Sequence, residues 1–87
     1  MGNDKVFPTM VTPLAAYLMT LGFGGTDKPD EPDADFSNPS SVVFMFKNDS
    51  VKLDEAIMRW NLSKAEGNIN AWYENYRKLL ARIARGY

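Results

Sequence analysis

The last third of the chain carries the clearest division of apolar from polar positions. At about 100° per residue, Ile69, Trp72, Tyr73, Tyr76, Leu79, Leu80, Ile83 and Ala84 fall within an arc of roughly 140°, and Arg77, Lys78, Arg82 and Arg85 fall within a separate arc of similar width. This period predicts an amphipathic helix over about 70–85, capped by Asn70 and preceded by a Gly67-Asn68 turn. A second helix is expected over about 50–62, where Leu53, Ile57 and Trp60 recur at spacings of four and three. Asp49 or Ser50 is its candidate cap, and Asp54 and Glu55 sit near its positive end. A first helix is expected over about 13–21, with Thr12 as cap, Pro13 in the first turn and Gly22 as the left-handed stop, Phe23 folding back on Leu18. Its apolar positions are nearly continuous around the axis, which predicts burial on most sides.

Val42-Val43-Phe44-Met45-Phe46 is β-branched and aromatic, bounded by turn residues and too short for a helix, so it is read as a strand. A strand needs a partner for its backbone groups, and the candidates are Lys5 to Met10 and Phe23 to Thr26. Between the first helix and this strand, residues 24–41 (GGTDKPDEPDADFSNPSS) read as a long acidic loop rich in Gly, Pro and Asp. Phe36 is the one large apolar residue available to pin it. Pro29 and Pro32 are expected to keep it extended and solvated. The resulting prediction is an α+β fold: a small two- or three-stranded antiparallel sheet packed with three helices, in a single domain over 1–87.

The composition is consistent with that size. A chain of 87 residues, 45% hydrophobic and 13% aromatic, has material for one packed core and not for two. It contains no Cys, which excludes disulfides and thiolate metal sites and predicts a cytoplasmic protein held together by packing. The apolar run Met10 to Phe23 is interrupted by Thr12, Pro13, Thr20 and Gly22 and is short for a membrane span. No basic segment or small-residue cleavage pattern marks a secretory signal. The formal net charge of −1 conceals a polarity: residues 1–44 hold six acids and two bases, residues 45–87 eight bases and five acids.

Leu14-Ala15-Ala16-Tyr17-Leu18 through Gly22-Phe23, Val43-Phe44-Met45-Phe46 with Asp49, and the helix pair ending in Tyr73, Arg77 and Ile83 together resemble a family of short bacterial and phage proteins known only as a domain of unknown function. The resemblance covers most of the chain outside 24–41, where that family is expected to have a shorter hairpin leading into the F-x-F strand. It implies a small protein of phage or mobile-element origin. It brings no catalytic residues, because its motifs are apolar positions and turns.

Chemistry is constrained chiefly by what is missing. With His and Cys absent, the commonest general base, metal ligand and nucleophile are absent too. No phosphate-cradle or nucleophile-elbow motif occurs, and Gly22-Phe23-Gly24-Gly25 reads as a helix stop. Three features remain. Asp27, Asp30, Glu31, Asp33 and Asp35 form an acidic run whose spacing does not match a calcium loop. It is first a solvated surface, with a docking site for a basic protein, a local mimic of phosphate spacing and a bound metal as the other readings. The stripe of Arg77, Lys78, Arg82 and Arg85, extended by Lys47, Lys52, Arg59 and Lys64 if the helices lie side by side, is either an ordinary charged outer face or a phosphate contact. Trp60, Trp72, Tyr73 and Tyr76 are either core or, if exposed together, an interaction patch.

The expectation is a non-enzymatic binding protein without cofactor or metal, acting on a partner protein as inhibitor or adaptor. The alternatives are a nucleic-acid accessory protein using the basic helix face, and a structural or homo-oligomeric subunit joined through a sheet edge.

Overall fold

The computed structural model describes residues 6–26, 28–38, 41–48, 51–62 and 67–86. In chain order these form strand β1 (Val6–Thr9), helix α1 (Thr12–Thr20), strand β2 (Asp33–Asp35), strand β3 (Val43–Lys47), helix α2 (Val51–Asn61) and helix α3 (Ile69–Arg85). The architecture is the expected α+β arrangement of three helices and a three-stranded antiparallel sheet.

β3 is the central strand, in the order β1-β3-β2. The pleat sends alternate side chains to opposite faces, and Phe44 and Phe46 are fully buried. The register sets Phe7 opposite Phe46, Thr9 opposite Phe44 and Ala34 opposite Phe44, so all three line the same inner face. Of the two candidate partners, the stretch ending at Met10 supplies β1. The second neighbour is Asp33–Asp35, inside what reads from sequence as loop, and Phe23 to Thr26 is not a strand. Asp-Ala-Asp has little β propensity; its pairing works because β2 is an edge strand whose central Ala34 alone turns inward. Pro8 is accommodated on the other edge.

α1 is the centre of the molecule. Leu14, Ala15, Ala16, Tyr17, Leu18 and Met19 are all buried, as an uncharged helix apolar all round requires. Its end follows the glycine-stop geometry: Gly22 has φ +95, its N–H donates to the Met19 carbonyl at 3.0 Å, and the Phe23 N–H donates to the Leu18 carbonyl at 3.0 Å. Its start differs from expectation. The helix already includes Thr12, Val11 occupies the cap position without a side-chain cap bond, and the Val11 N–H instead donates to Thr9 Oγ1 at 3.0 Å.

α2 and α3 both rest on α1 and hardly touch each other among the described residues. Two hydrogen bonds tie α3 to α1. Trp72 Nε1 donates to the Pro13 carbonyl at 3.1 Å, and Asn75 Nδ2 donates to Thr20 Oγ1 at 3.0 Å, the Thr20 hydroxyl in turn donating a hydrogen bond to the Ala16 carbonyl at 2.8 Å. The cap of α3 is Asn68, not Asn70: its side chain accepts from the Asn70 and Ala71 amides. The proposed α2 caps, Asp49 and Ser50, lie outside the described residues.

Only part of the apolar arc of α3 is covered. Leu79 is fully buried and Trp72, Tyr76 and Ile83 pack against the core, but Ile69, Tyr73 and Leu80 stay exposed. The adjacent leucines therefore provide a test of how α3 is seated. Leu79→Ala should cost about 3 kcal/mol in urea unfolding, whereas Leu80→Ala, 43% exposed in the wild type, should cost less than about 1 kcal/mol. Similar losses at both positions would mean that α3 is rotated from the orientation described.

Candidate functional site

The segment between α1 and β3 is not a simple solvated loop. Gly24 accepts from the Lys47 N–H at 2.8 Å, which fixes the start of the segment to the end of β3. The Gly25 N–H donates to both the Lys28 and Glu31 carbonyls at 2.9 Å. Thr26 donates from its amide and its hydroxyl to Asp33 Oδ2, at 3.2 and 2.9 Å. Pro32 is fully buried, and Phe23, Ala34 and Phe36 pack on the core, so Phe36 does pin the segment but shares the work.

This folding separates the acidic candidates. Asp33 and Asp35 lie on the outer face of β2, paired with Met45 and Val43, and each is engaged locally. Asp35 accepts from the Ser37 hydroxyl and from the Ser37 amide, the latter at 2.9 Å. These bonds stabilise the carboxylate and hold its pKa below the ordinary value of 3.8, with the hydroxyl the larger cause. Asp30 is exposed, and Asp27 lies outside the described residues. Among the described residues no group of three or more carboxylates converges closely enough to hold a metal ion.

Glu31 goes elsewhere. It pairs with Lys28 at 3.0 Å and faces α3, where Arg82 Nη1 donates to the Pro32 carbonyl at 2.9 Å. The result is a cleft of about 410 Å³ lined by Lys28, Glu31, Lys78, Ala81, Arg82 and Arg85. Three of the four basic candidates on α3 thus meet one of the acidic candidates. The fourth, Arg77, turns away and places its guanidinium 5.9 Å from the centre of the Tyr73 ring. Lys28 is the member that sequence reasoning missed, because nothing local indicates that its loop folds over α3.

A second concavity, about 310 Å³, lies toward the other end of α3. Its lining is Tyr17 and Thr20 of α1, Trp60 of α2, and Gly67, Asn68, Ile69 and Trp72. The four aromatics in question divide between the two readings. Trp60 packs on Tyr17 with ring centres 5.5 Å apart, and Trp72 stacks on Tyr76 at 5.1 Å, so these are half-buried walls. Tyr73 is exposed, beside Ile69 at 75% and Leu80. Met58 and Leu62 at the end of α2 are also exposed.

No protein-family model, no curated protein and no solved structure matches the chain. No helix among the described residues is long and apolar enough to cross a membrane.

Two predictions test the ordering of the loop. A Cβ on Gly24 would lie 2.2 Å from the Pro29 carbonyl oxygen, a backbone atom that cannot step aside. Gly24→Ala should therefore cost about 2 kcal/mol by urea unfolding, and a neutral result would mean the loop does not hold this close approach. The Asp35 carboxyl should titrate by NMR below 3.8, and Ser37→Ala should move the midpoint back up. Because the folded pKa is the depressed one, the stability that these bonds contribute is present above the unfolded pKa and is lost as pH falls through the folded value. An unchanged midpoint in Ser37→Ala would exclude Ser37 as the cause.

Proposed function

We propose that this chain is a non-enzymatic binding protein that engages a partner protein through the groove between α2 and α3, as an inhibitor or adaptor. One observation carries the reading. The groove is walled by Trp60 and Trp72 and runs out onto Ile69, 75% exposed, which gives a concave apolar site with a large free apolar group at its lip. Aromatic walls already half-buried lose little side-chain entropy when a partner's apolar group covers them. The lack of His and Cys in the sequence supports a role without catalysis, and the lowered pKa of Asp35 is accounted for by Ser37 at the surface. The lack of Cys also supports a cytoplasmic setting. The resemblance to short bacterial and phage proteins is the support for a mobile-element origin.

The alternatives draw less support. A helix face tracking a nucleic-acid backbone needs its cations in one row, but Arg77 lies over Tyr73, apart from the cleft lined by Lys78, Arg82 and Arg85. Strand addition at a sheet edge meets Pro8 on β1 and the carboxylates of Asp33 and Asp35 on β2, the kind of side chains that discourage edge pairing.

Capture from a bacterial lysate on immobilised protein tests the reading. At least one protein should be retained by the wild type and by Lys78→Gln, and reduced about tenfold on Ile69→Glu, a surface change that leaves stability within about 0.5 kcal/mol. If every retained protein is indifferent to Ile69→Glu, the groove is not the binding surface.

A further inference from the structure

The cleft at the other end of α3 is chemically unlike the groove. Lys78, Arg82 and Arg85 stand at spacings of four and three, so their side chains share one stretch of helix surface, and like charges at these spacings repel. Ala81 lies among them and its small side chain leaves the space open. The loop adds a fourth cation, Lys28, together with the only carboxylate of the described lining, Glu31, which is already paired to Lys28 at 3.0 Å. Among the described residues, four cations and one carboxylate line a single concavity, on a protein whose formal net charge is −1. The local excess is thus opposite in sign to the whole chain.

The site is also built, in that its parts are held in place. Arg82 is anchored through Nη1 to the Pro32 carbonyl at 2.9 Å, on a residue that is itself fully buried. A guanidinium has five N–H donors in a planar fork, so this bond leaves others to meet an anion. The negative end of the α3 dipole is close by, but the Gly86 N–H caps the Arg82 and Ile83 carbonyls, at 3.0 and 3.2 Å. The volume, about 410 Å³, lies in the range of small-ligand sites and is far too small for a nucleic-acid duplex.

We propose that the cleft formed by Lys28, Lys78, Arg82 and Arg85 binds a small ligand bearing a di- or polyphosphate group. The phosphate oxygens take charge-assisted hydrogen bonds from the anchored Arg82 and from Arg85, and the two lysines supply point charges from the loop side and the helix side. Glu31 opposes the ligand: it repels the anion and holds Lys28. This sets the site apart from an ordinary charged helix face, because removing the acid should strengthen binding.

Inorganic pyrophosphate is the probe, titrated into the full chain at low ionic strength and followed by amide NMR shifts, with a single-stranded oligonucleotide of about twelve nucleotides as a second arm. The expected result is a saturable response below about 1 mM, centred on the amides of 28–31 and 78–85. Lys28→Gln/Lys78→Gln should weaken affinity about tenfold or more, Glu31→Gln should tighten it about threefold, and Arg77→Gln should leave it within about twofold. The same spectra show whether each variant keeps its fold. A linear, unsaturated response at about 10 mM, or an affinity indifferent to the lysine pair and to Glu31, would overturn the assignment. So would an oligonucleotide that binds more tightly than pyrophosphate and loses as much with Arg77→Gln as with Lys78→Gln, since that pattern belongs to a helix face following a nucleic-acid backbone.

Discussion

α1 has nine residues, no charge and no polar face, and every other element is arranged by the need to keep it out of water. Fully burying a side chain such as Leu14, Leu18 or Met19 contributes about 1.5–3 kcal/mol, so leaving one side of this helix bare would remove a large part of the stability of so small a domain. The sheet supplies Phe44 and Phe46, α2 supplies Leu53 and Ala56, and α3 supplies Leu79, all in one cluster with the α1 residues. The two outer helices then have no need to pack on each other, and the groove between them follows from their sharing a support.

Length explains what happens at the two ends of α3. At 1.5 Å per residue α1 is about 13 Å long and the 17-residue α3 about 25 Å, so α1 spans only about half of it. Trp72 and Asn75 make the hydrogen bonds to α1, Leu79 is buried beyond them, and Ile69 and Arg85 at the two ends of α3 are exposed. At the first end Ile69 lies beside the groove. At the second the helix is met by the loop, through Pro32 and its bond from Arg82. The two concavities share a cause, yet differ in chemistry because α3 carries its aromatics early and its cations late.

The elements that could be read from the sequence are those whose signal is local. The period of α3, the glycine stop after α1 and the β-branched aromatic run of β3 are each specified within a few residues, and each stands within one or two residues of its expected position. β2 was not legible because its order does not come from its own residues. Asp33 serves Thr26, and Ala34 turns inward only because β3 is beside it, which are long-range facts. The apolar arc of α3 was legible as an arc, but its width says nothing of how much a short neighbouring helix will cover, so Tyr73, Ile69 and Leu80 could not be separated from Leu79. The candidate site was half legible: Lys78, Arg82 and Arg85 stand on one face by periodicity alone, but Lys28 joins them only through the fold.

The charge polarity along the sequence takes on a different meaning once folded. An acidic first half and a basic second half could have neutralised each other across the loop–α3 contact, but the described acids of β2 face elsewhere. Asp33 and Asp35 turn to the outer face of the sheet, where Thr26 and Ser37 occupy them, and among the described acids of the loop Glu31 lines the cleft at the helix. Glu31 in turn is paired within its own loop, to Lys28. Among the described residues, the loop is joined to α3 by a guanidinium on a backbone carbonyl, directional and insensitive to pH over the range where carboxylates titrate. Loop attachment and cleft charge are thereby separate properties. The loop can stay seated on Pro32 whatever happens to the charges that line the cleft beside it.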